Sequence, residues 1–401
     1  MPKALPSSGN LTGHVSLLYN PSQQAFLDAL ALRTPNGKRA YHRLLVCSGR
    51  RGGKALALDT PLPSPRGWTT MGEVQPGDEL FDDTGATCRV TFATDVQIGR
   101  PCFRLTFSDH TTIVADADHQ WLTWDKAARK AAPRGGHARP SVVTTRQILD
   151  TLMYRNESNH AIPMCGPLQY PAQPLPIDPY VLGVWLGDGS KGSAVVHGVD
   201  AEIFEECTRR GEYARPMKRD ALFDCPSYLI GGAARQRSVE NGQFVSTDSM
   251  HSRLRALGVL NNKHIPDIYL RGSIAQREDL LAGLMDMDGY IAKDGGCDFD
   301  NTNLAIASSV LELVRSLGFR PWFRTKRATI YGKDCGPTYR VSFAPTRTVF
   351  RLARKNARHL FRNVFNRFRF IVSVDPVPSV PVRCVQVDSP TSLYLAGDGM
   401  I

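Results

Sequence analysis

Two apolar segments one hundred residues apart limit what this 401-residue chain can become. The first is Tyr180-Val181-Leu182-Gly183-Val184-Trp185-Leu186-Gly187-Asp188-Gly189 and the second is Leu280-Leu281-Ala282-Gly283-Leu284-Met285-Asp286-Met287-Asp288-Gly289. Each reads as a helix with small residues on one face, Gly183 and Gly187 in one, Ala282 and Gly283 in the other. Small residues let two helix backbones approach closely. Each segment ends in an acid followed by a helix-stopping glycine. The pattern predicts two helices packed against each other that deliver Asp188 and Asp288 side by side. Carboxylates so placed are ligands for hard cations, and paired Mg²⁺ ions can activate water and stabilise a leaving oxygen in phosphodiester hydrolysis. Asp286, two residues before Asp288, is expected to face elsewhere. The plain alternative is a pair of ordinary buried helices with capping acids.

These segments resemble the paired motifs of the LAGLIDADG (DOD-type) homing endonucleases, the second almost letter for letter. The resemblance implies an α+β domain of two pseudo-symmetric halves, acting as a monomer on an asymmetric double-stranded DNA site with Mg²⁺ or Mn²⁺. Lys263, in Asn262-Lys263-His264-Ile265-Pro266, matches a further family motif that supplies a catalytic lysine. DNA contact is expected from strands between the helices. Arg320, Arg324, Lys326, Arg327 and Arg340 lie in strand-like sequence suited to phosphates or base edges. From Arg347 to Arg369 eight Lys or Arg occur without an Asp or Glu, interleaved with phenylalanines, which fits either a DNA-facing surface or a plain basic helix.

The sequence before this region is interrupted. Leu45-Val46-Cys47-Ser48-Gly49-Arg50-Arg51-Gly52-Gly53-Lys54 is an apolar run entering a Gly-rich, Lys-terminated loop, in which Gly49, Gly52, Gly53 and Lys54 are candidates to hold nucleotide phosphates. A hydroxyl residue should follow to bind Mg²⁺. Instead the chain continues Ala55-Leu56-Ala57-Leu58-Asp59-Thr60-Pro61 into turn-rich, strand-like sequence. The loop and the upstream stretch Ser22–Leu30, with Phe26, Leu27 and Leu30 on one helical face, look like the start of a phage terminase large subunit, a DNA-packaging ATPase.

From Ala55 onward the chain resembles the amino-terminal splicing motif of inteins, with Ala in place of the usual Cys or Ser. Thr111-Thr112-Ile113-Val114-Ala115-Asp116-Ala117-Asp118-His119-Gln120-Trp121 resembles the second splicing motif. On that match His119 polarises the scissile Lys54–Ala55 amide and protonates the departing nitrogen. Asp116 stands where the family usually has Thr. Cys384 begins Cys384-Val385-Gln386-Val387-Asp388, near the intein carboxyl end. In class 3 (Ala-initiated) inteins a Cys here replaces the missing first nucleophile and a Trp lies two residues after the His, as Cys384 and Trp121 do. The resemblance implies that Cys384 attacks the Lys54 carbonyl, without any cofactor, and frees the Ala55 amine. Completion is expected to need a terminal Asn and a downstream host residue, from a further tail or second polypeptide beyond Gly399-Met400-Ile401.

The expected organisation is a host fragment at 1–54, splicing-domain segments at 55–165 and 371–401, a proline-rich linker at 166–177 and an endonuclease domain at 178–365. The fold class expected is an all-β splicing (hedgehog/intein, HINT) domain made from two separated segments, with the LAGLIDADG domain inserted. Pro376, Pro378 and Pro381 mark the second boundary, after which Val382–Val387 and Ser392–Gly397 read as strands. A formal net charge of +11 favours a polyanionic partner. Nine cysteines without a CxxC pair fit a reduced, cytoplasmic protein, the terminase resemblance implies phage or prophage encoding, and with no apolar run long enough to span a bilayer no membrane role is expected. The competing readings are a packaging-ATPase fragment, for which too little P-loop domain is present, and a non-splicing autoprocessing module, which leaves the duplicated acid-ended helices unexplained.

Overall fold

The computed structural model describes residues 55–401 apart from 132–138, 218–224, 232–235, 238–243, 246–248, 331–332 and 361–366. The phosphate loop with Gly49, Gly52, Gly53 and Lys54, and the helix expected after Ser22, lie outside the described residues. Among those described, no helix is long and apolar enough to cross a membrane.

The largest sheet is built from both ends of the unit Ala55–Ile401. Its six antiparallel strands run Ala161–Pro163, Phe368–Val377, Cys102–Phe107, Thr112–Asp116, Leu56–Ala57 and Val382–Arg383. Val385–Val387 then pairs with Thr87–Ala93, which pairs with Glu79–Phe81. Alternation sets these strands. In Thr87–Ala93 Cys88 and Val90 are buried while Thr87, Arg89 and Thr91 are exposed, and one face of the domain closes over Leu62, Leu80, Leu105, Phe107 and Ile371.

At the carboxyl end the segment expected from 371 begins its strand at Phe368, and the strand expected at Ser392–Gly397 is corrected. Phe368–Val377 lies inside the large sheet, so the chain re-enters the β domain before the prolines. Pro376 is accommodated because Ala161–Pro163 pairs only with Phe368–Phe370, leaving one side of the strand open beyond it. Ser392–Gly397 forms no strand. Ser392 has φ 56° and Gly397 φ 74°, and the segment is held by single bonds such as Leu395 N–H to Phe81 O at 2.8 Å.

The proline-rich segment is irregular, as its composition predicts, yet it is fastened on both sides rather than spanning freely. Gly166 and Gln169 donate to the Asp83 and Gly85 carbonyls of the β domain, and Leu168 donates to Ser316 O of the inserted domain. Arg277, wholly buried, donates to the Leu168 and Gly272 carbonyls and to Ser316.

The inserted domain is α+β and has two halves. The first holds helix Pro179–Asp188, helix Ala201–Arg209 and the sheet Val195–His197, Ser227–Ile230, Ala214–Pro216. The second holds helix Ile274–Asp288, helix Leu304–Ser316 and the sheet Gly289–Ile291, Cys297–Asn301, Lys333–Phe343, Pro321–Ile330. Asp178 caps the first long helix through the Tyr180 and Val181 amides, and Ser273 with Gln276 forms a capping box on the second.

The helices meet where the sequence placed its small residues. A β-carbon on Gly183 would lie 2.5 Å from Leu280 O and 2.9 Å from Leu284 N, and one on Gly283 would lie 2.1 Å from Tyr180 O and 2.9 Å from Val184 N. The contacts are the same under an offset of one hundred, which is a twofold relation written in residue numbers. Gly189 and Gly289 do not stop their helices by a left-handed turn. Both are extended, with φ −73° and −82°, and each amide donates to the carbonyl four residues back. Glycine is required because a β-carbon would lie 2.3 Å from Trp185 O or 2.4 Å from Met285 O.

The architecture is therefore an all-β domain assembled from two separated segments, into which an α+β domain of two pseudo-symmetric halves is inserted.

Candidate functional site

Two constellations occupy different domains. In the β domain, Leu56 pairs with Ala115 on one side and Arg383 on the other, so the residue before it stands between Asp116 and Cys384. Ala55 is wholly buried in one cluster with Cys102, Val382 and Cys384. Its amide, the nitrogen of the Lys54–Ala55 bond, donates to Asp116 Oδ1 at 3.3 Å, and its carbonyl accepts from Asp116 N at 2.9 Å. Asp116 is also gripped by Arg100 Nε at 2.6 Å. Burial raises its carboxyl above the ordinary range while Arg100 opposes that shift. The sequence reading marked Asp116 only as a departure from the family pattern; the structure makes it the acceptor for the Ala55 amide.

Cys384 is buried between two short strands. Its amide donates to Thr94 Oγ1 at 3.1 Å and its carbonyl accepts from Thr94 N at 2.9 Å. His119 is placed by two bonds of its own backbone. Its amide donates to Asp116 O, and its carbonyl accepts from Thr145 N at 2.9 Å. Trp121 packs edge-on against the imidazole, with ring centroids 4.7 Å apart, and its Nε1 donates to the same Thr145 through Oγ1 at 3.0 Å. Trp121 thus fixes the ring of His119 from one side, and Thr145 fixes both residues.

In the inserted domain, Asp188 and Asp288 end the two packed helices. A β-carbon on Gly187 would lie 3.7 Å from Asp288 Cγ, which shows how near the second acid comes to the end of the first helix. Burial, and then the neighbouring Asp188, pushes the Asp288 carboxyl up to about 6, with Lys263 pulling the other way. Asn301 Nδ2 donates to Asp288 at 3.3 Å. Lys263 donates to the Leu186 and Gly187 carbonyls, both at 3.1 Å, and lies over the Trp185 ring. Burial lowers its amine to about 8 against the raising effect of Asp288 and Asp188. Among the described residues no group of three or more His, Cys, Asp or Glu could hold a metal. Two neighbouring carboxylates suit a hard cation that keeps much of its water shell.

The sequence reading missed Lys355. Its Nζ donates to Met285 O at 2.9 Å, Asp286 O at 2.7 Å and Gly289 O at 2.7 Å, placing it against the second long helix as Lys263 is placed against the first. The twofold repeat was the signal that could have found it, had Lys263 been given a counterpart.

Asp286 faces away from Asp288, as expected, but it is no idle control. It is 1% exposed and accepts from Tyr180 Oη at 2.9 Å and from the amides of Arg351 and Leu352. Asp286→Ala should therefore cost on the order of 2–3 kcal/mol in urea unfolding, by stranding two amides and a phenol. Metal affinity at folded-state concentrations should change little. An unaltered unfolding midpoint would overturn this assignment.

The basic residues divide. Arg324 and Arg327 are exposed and Lys326 is half-buried on Pro321–Ile330. Arg340 lies opposite Arg324 and is engaged by Asp298 at 2.8 Å and by Asp300, and Arg327 is paired with Asp334. Arg320 does not face outward. It is 8% exposed, lies over the Trp322 ring and donates to Phe368 O at 2.5 Å. Four of the eight basic residues in the run are engaged in ion pairs, Arg347 with Glu278, Arg351 with Asp279, Arg354 with Asp200 and Arg369 with Asp109. Arg324→Gln should weaken duplex binding and reduce its salt slope by about one ion, whereas Arg320→Gln should leave that slope unchanged. Filter binding between low and moderate salt reads both, and equal slopes for the two variants would reject the division.

Comparison with known proteins adds the following. Residues 264–362 match the family model described as homing endonuclease. The chain is 40% identical over 374 residues to the replicative DNA helicase DnaB of Mycobacterium intracellulare, covering 89% of this chain and 59% of that protein. It thus spans about three fifths of the curated relative. Among solved structures, the MchDnaB-1 intein is 20% identical, covering 86% of this chain and 97% of its own, with a TM-score of 0.26. I-DmoI in complex with DNA and Ca is 12% identical over 45% of this chain and 95% of its own, with a TM-score of 0.28. The β domain built from two segments thus carries an inserted α+β domain, most of whose second half matches the homing endonuclease model.

The terminase-like host is corrected by these findings, since the matching relative is a replicative helicase. A Gly-rich, Lys-terminated loop is a general phosphate-holding pattern, so Gly49–Lys54 had no power to separate one host from the other.

Proposed function

We propose that the chain is a class 3 intein with a nested homing endonuclease, lodged in the phosphate loop of a DnaB-like helicase. The observation that carries the splicing half is the buried row in which Ala55 lies between Asp116 and Cys384. The Cys384 sulfur, as thiolate, attacks the Lys54 carbonyl carbon. The Lys54–Ala55 C–N bond breaks, and the Ala55 nitrogen takes the proton that the thiol gave up, delivered by His119. The product is a thioester at Cys384 and a free Ala55 amine. Downstream residues would then accept the acyl group.

The nuclease half rests on the fusion of two acid-ended helices through Gly183 and Gly283. Asp188 and Asp288 would hold Mg²⁺ or Mn²⁺, and such ions, when bound, supply water activation and stabilisation of the leaving oxygen. Lys263 holds the two carbonyls beside Asp188 and opposes the rise that burial imposes on the Asp288 carboxyl. Arg324 and Lys326 are the basic groups offered to duplex DNA, and one chain carries both halves of the site, so a monomer suffices. I-DmoI was solved with DNA and with Ca, in keeping with this reading.

One preparation tests both halves. With a Thr-His-Asn-Ser tail and a downstream reporter appended, the chain should excise Ala55 onward and join its flanks, as read by intact mass. The same protein should cut duplex DNA carrying the uninterrupted helicase gene when Mg²⁺ or Mn²⁺ is added. Failure to release the flanks would reject the splicing reading, and uncut DNA would reject the nuclease reading independently.

A further inference from the structure

We propose that the seam between the β domain and the inserted domain binds a small tetrahedral oxyanion of the phosphate class, held by Arg315, Arg320 and Arg369. The three come from different elements. Arg315 lies on helix Leu304–Ser316, Arg320 precedes strand Pro321–Ile330, and Arg369 lies on Phe368–Val377 of the large sheet. They are brought together by bonds to neighbouring backbone. Arg315 Nη1 donates to Asp398 O at 3.0 Å, Arg369 Nη2 donates to Gly399 O at 2.8 Å, and Arg320 donates to Phe368 O, the residue before Arg369. Arg369 is wholly buried and Arg320 nearly so.

After these bonds each guanidinium keeps one buried N–H with no acceptor among the described residues: Arg315 Nε, Arg320 Nε and Arg369 Nη1. A buried donor on a charged group is costly to leave unmet. The charge balance points the same way. Among the described residues the one carboxylate in ion-pair contact with any of the three is Asp109, bonded to Arg369 Nε at 2.7 Å. Its other oxygen is occupied by the Thr111 amide and hydroxyl, the latter at 2.6 Å. Asp109 raises, and Arg369 lowers, the basicity of both Arg315 and Arg320, which places all of them in one electrostatic neighbourhood. Asp398 and Glu312 also act on Arg315, but Asp109 is the one carboxylate that acts on both Arg315 and Arg320 while paired with Arg369. Arginine donors match the oxygens of a phosphate-class anion, and one anion with several acceptor oxygens can meet all three orphaned donors. Burial excludes the phosphodiester backbone of duplex DNA, which needs an open face. Such an anion would tie the inserted domain to the Asp398–Gly399 segment of the β domain.

The test uses the full chain and inorganic phosphate as probe, with chloride at matched ionic strength as reference. Phosphate should raise the melting temperature by about 2 °C or more at concentrations well above its Kd, rising with the logarithm of its concentration. Arg315→Gln and Arg320→Gln should each weaken phosphate affinity, measured by calorimetry, by about tenfold or more, while the exposed Arg66→Gln leaves it unchanged. If a Gln variant fails to fold, Arg320→Lys, which keeps the charge and loses Nε, should show the same weakening. A short duplex should not compete for phosphate. Equal stabilisation by chloride, equal affinity in the Arg66 and Arg320 variants, or competition by the duplex would each overturn the site.

Discussion

Cys384→Ala should reduce cleavage after Lys54 by at least about 10³-fold, because it removes the thiol that the strand register sets next to Ala55, whereas the Cys102 thiol stands one strand further off, beyond Asp116. Ala55 has none of its own. The measurement is thiol-induced cleavage of the chain carrying a fused upstream reporter, followed on denaturing gels, with trapping of the thioester by hydroxylamine. Cys102→Ala is the comparison that gives the result meaning. Cys102 belongs to the same apolar cluster, so its loss should perturb packing to a similar degree and leave most of the cleavage. Comparable losses in the two variants would turn Cys384 into a packing residue and defeat the splicing mechanism, and persistence of cleavage in Cys384→Ala would do so outright.

Replacing either Asp188 or Asp288 with Asn should lower metal-dependent DNA cleavage by at least about 10³-fold and leave salt-sensitive DNA binding largely intact. Asn keeps the side-chain size while removing the charge that binds the cation, so the helix ends should not shift. The pH dependence follows from Asp288, whose carboxyl is pushed up to about 6 by burial and by Asp188. As pH falls through that value the carboxylate takes up a proton and competes with the cation, so cleavage at fixed Mg²⁺ should decline below about pH 6 and be restored in part by more metal. Retention of cleavage in excess chelator, or a pH profile insensitive to metal concentration, would reject the paired-carboxylate site.

The sequence alone determined the elements whose physics is local. Glycines at 183 and 283 within apolar helices could be read directly, because only a missing β-carbon allows backbones to meet at that distance, and the acids following them had to end up together. The boundary between Lys54 and Ala55 was legible as a change from a Gly-rich loop to turn-rich, strand-like sequence, and Ala55 begins the described unit. Tertiary structure decided whatever depended on strand order and on the choice of ion-pair partner. Pro376 marked a boundary in one dimension, yet in the sheet it stands in a strand whose outer side is open. Arg320 and the run from Arg347 looked like DNA contacts, since a basic side chain in sequence carries no sign of whether it meets solvent, a carbonyl or a carboxylate. Burial, and the acids brought near by folding from Asp109, Asp200, Asp279 and Glu278, made that choice. Asp116 and Lys355 gained their roles for the same reason: one accepts the Ala55 amide only because Leu56 pairs beside Ala115, and the other reaches the end of the second long helix only because the chain returns there after the sheet.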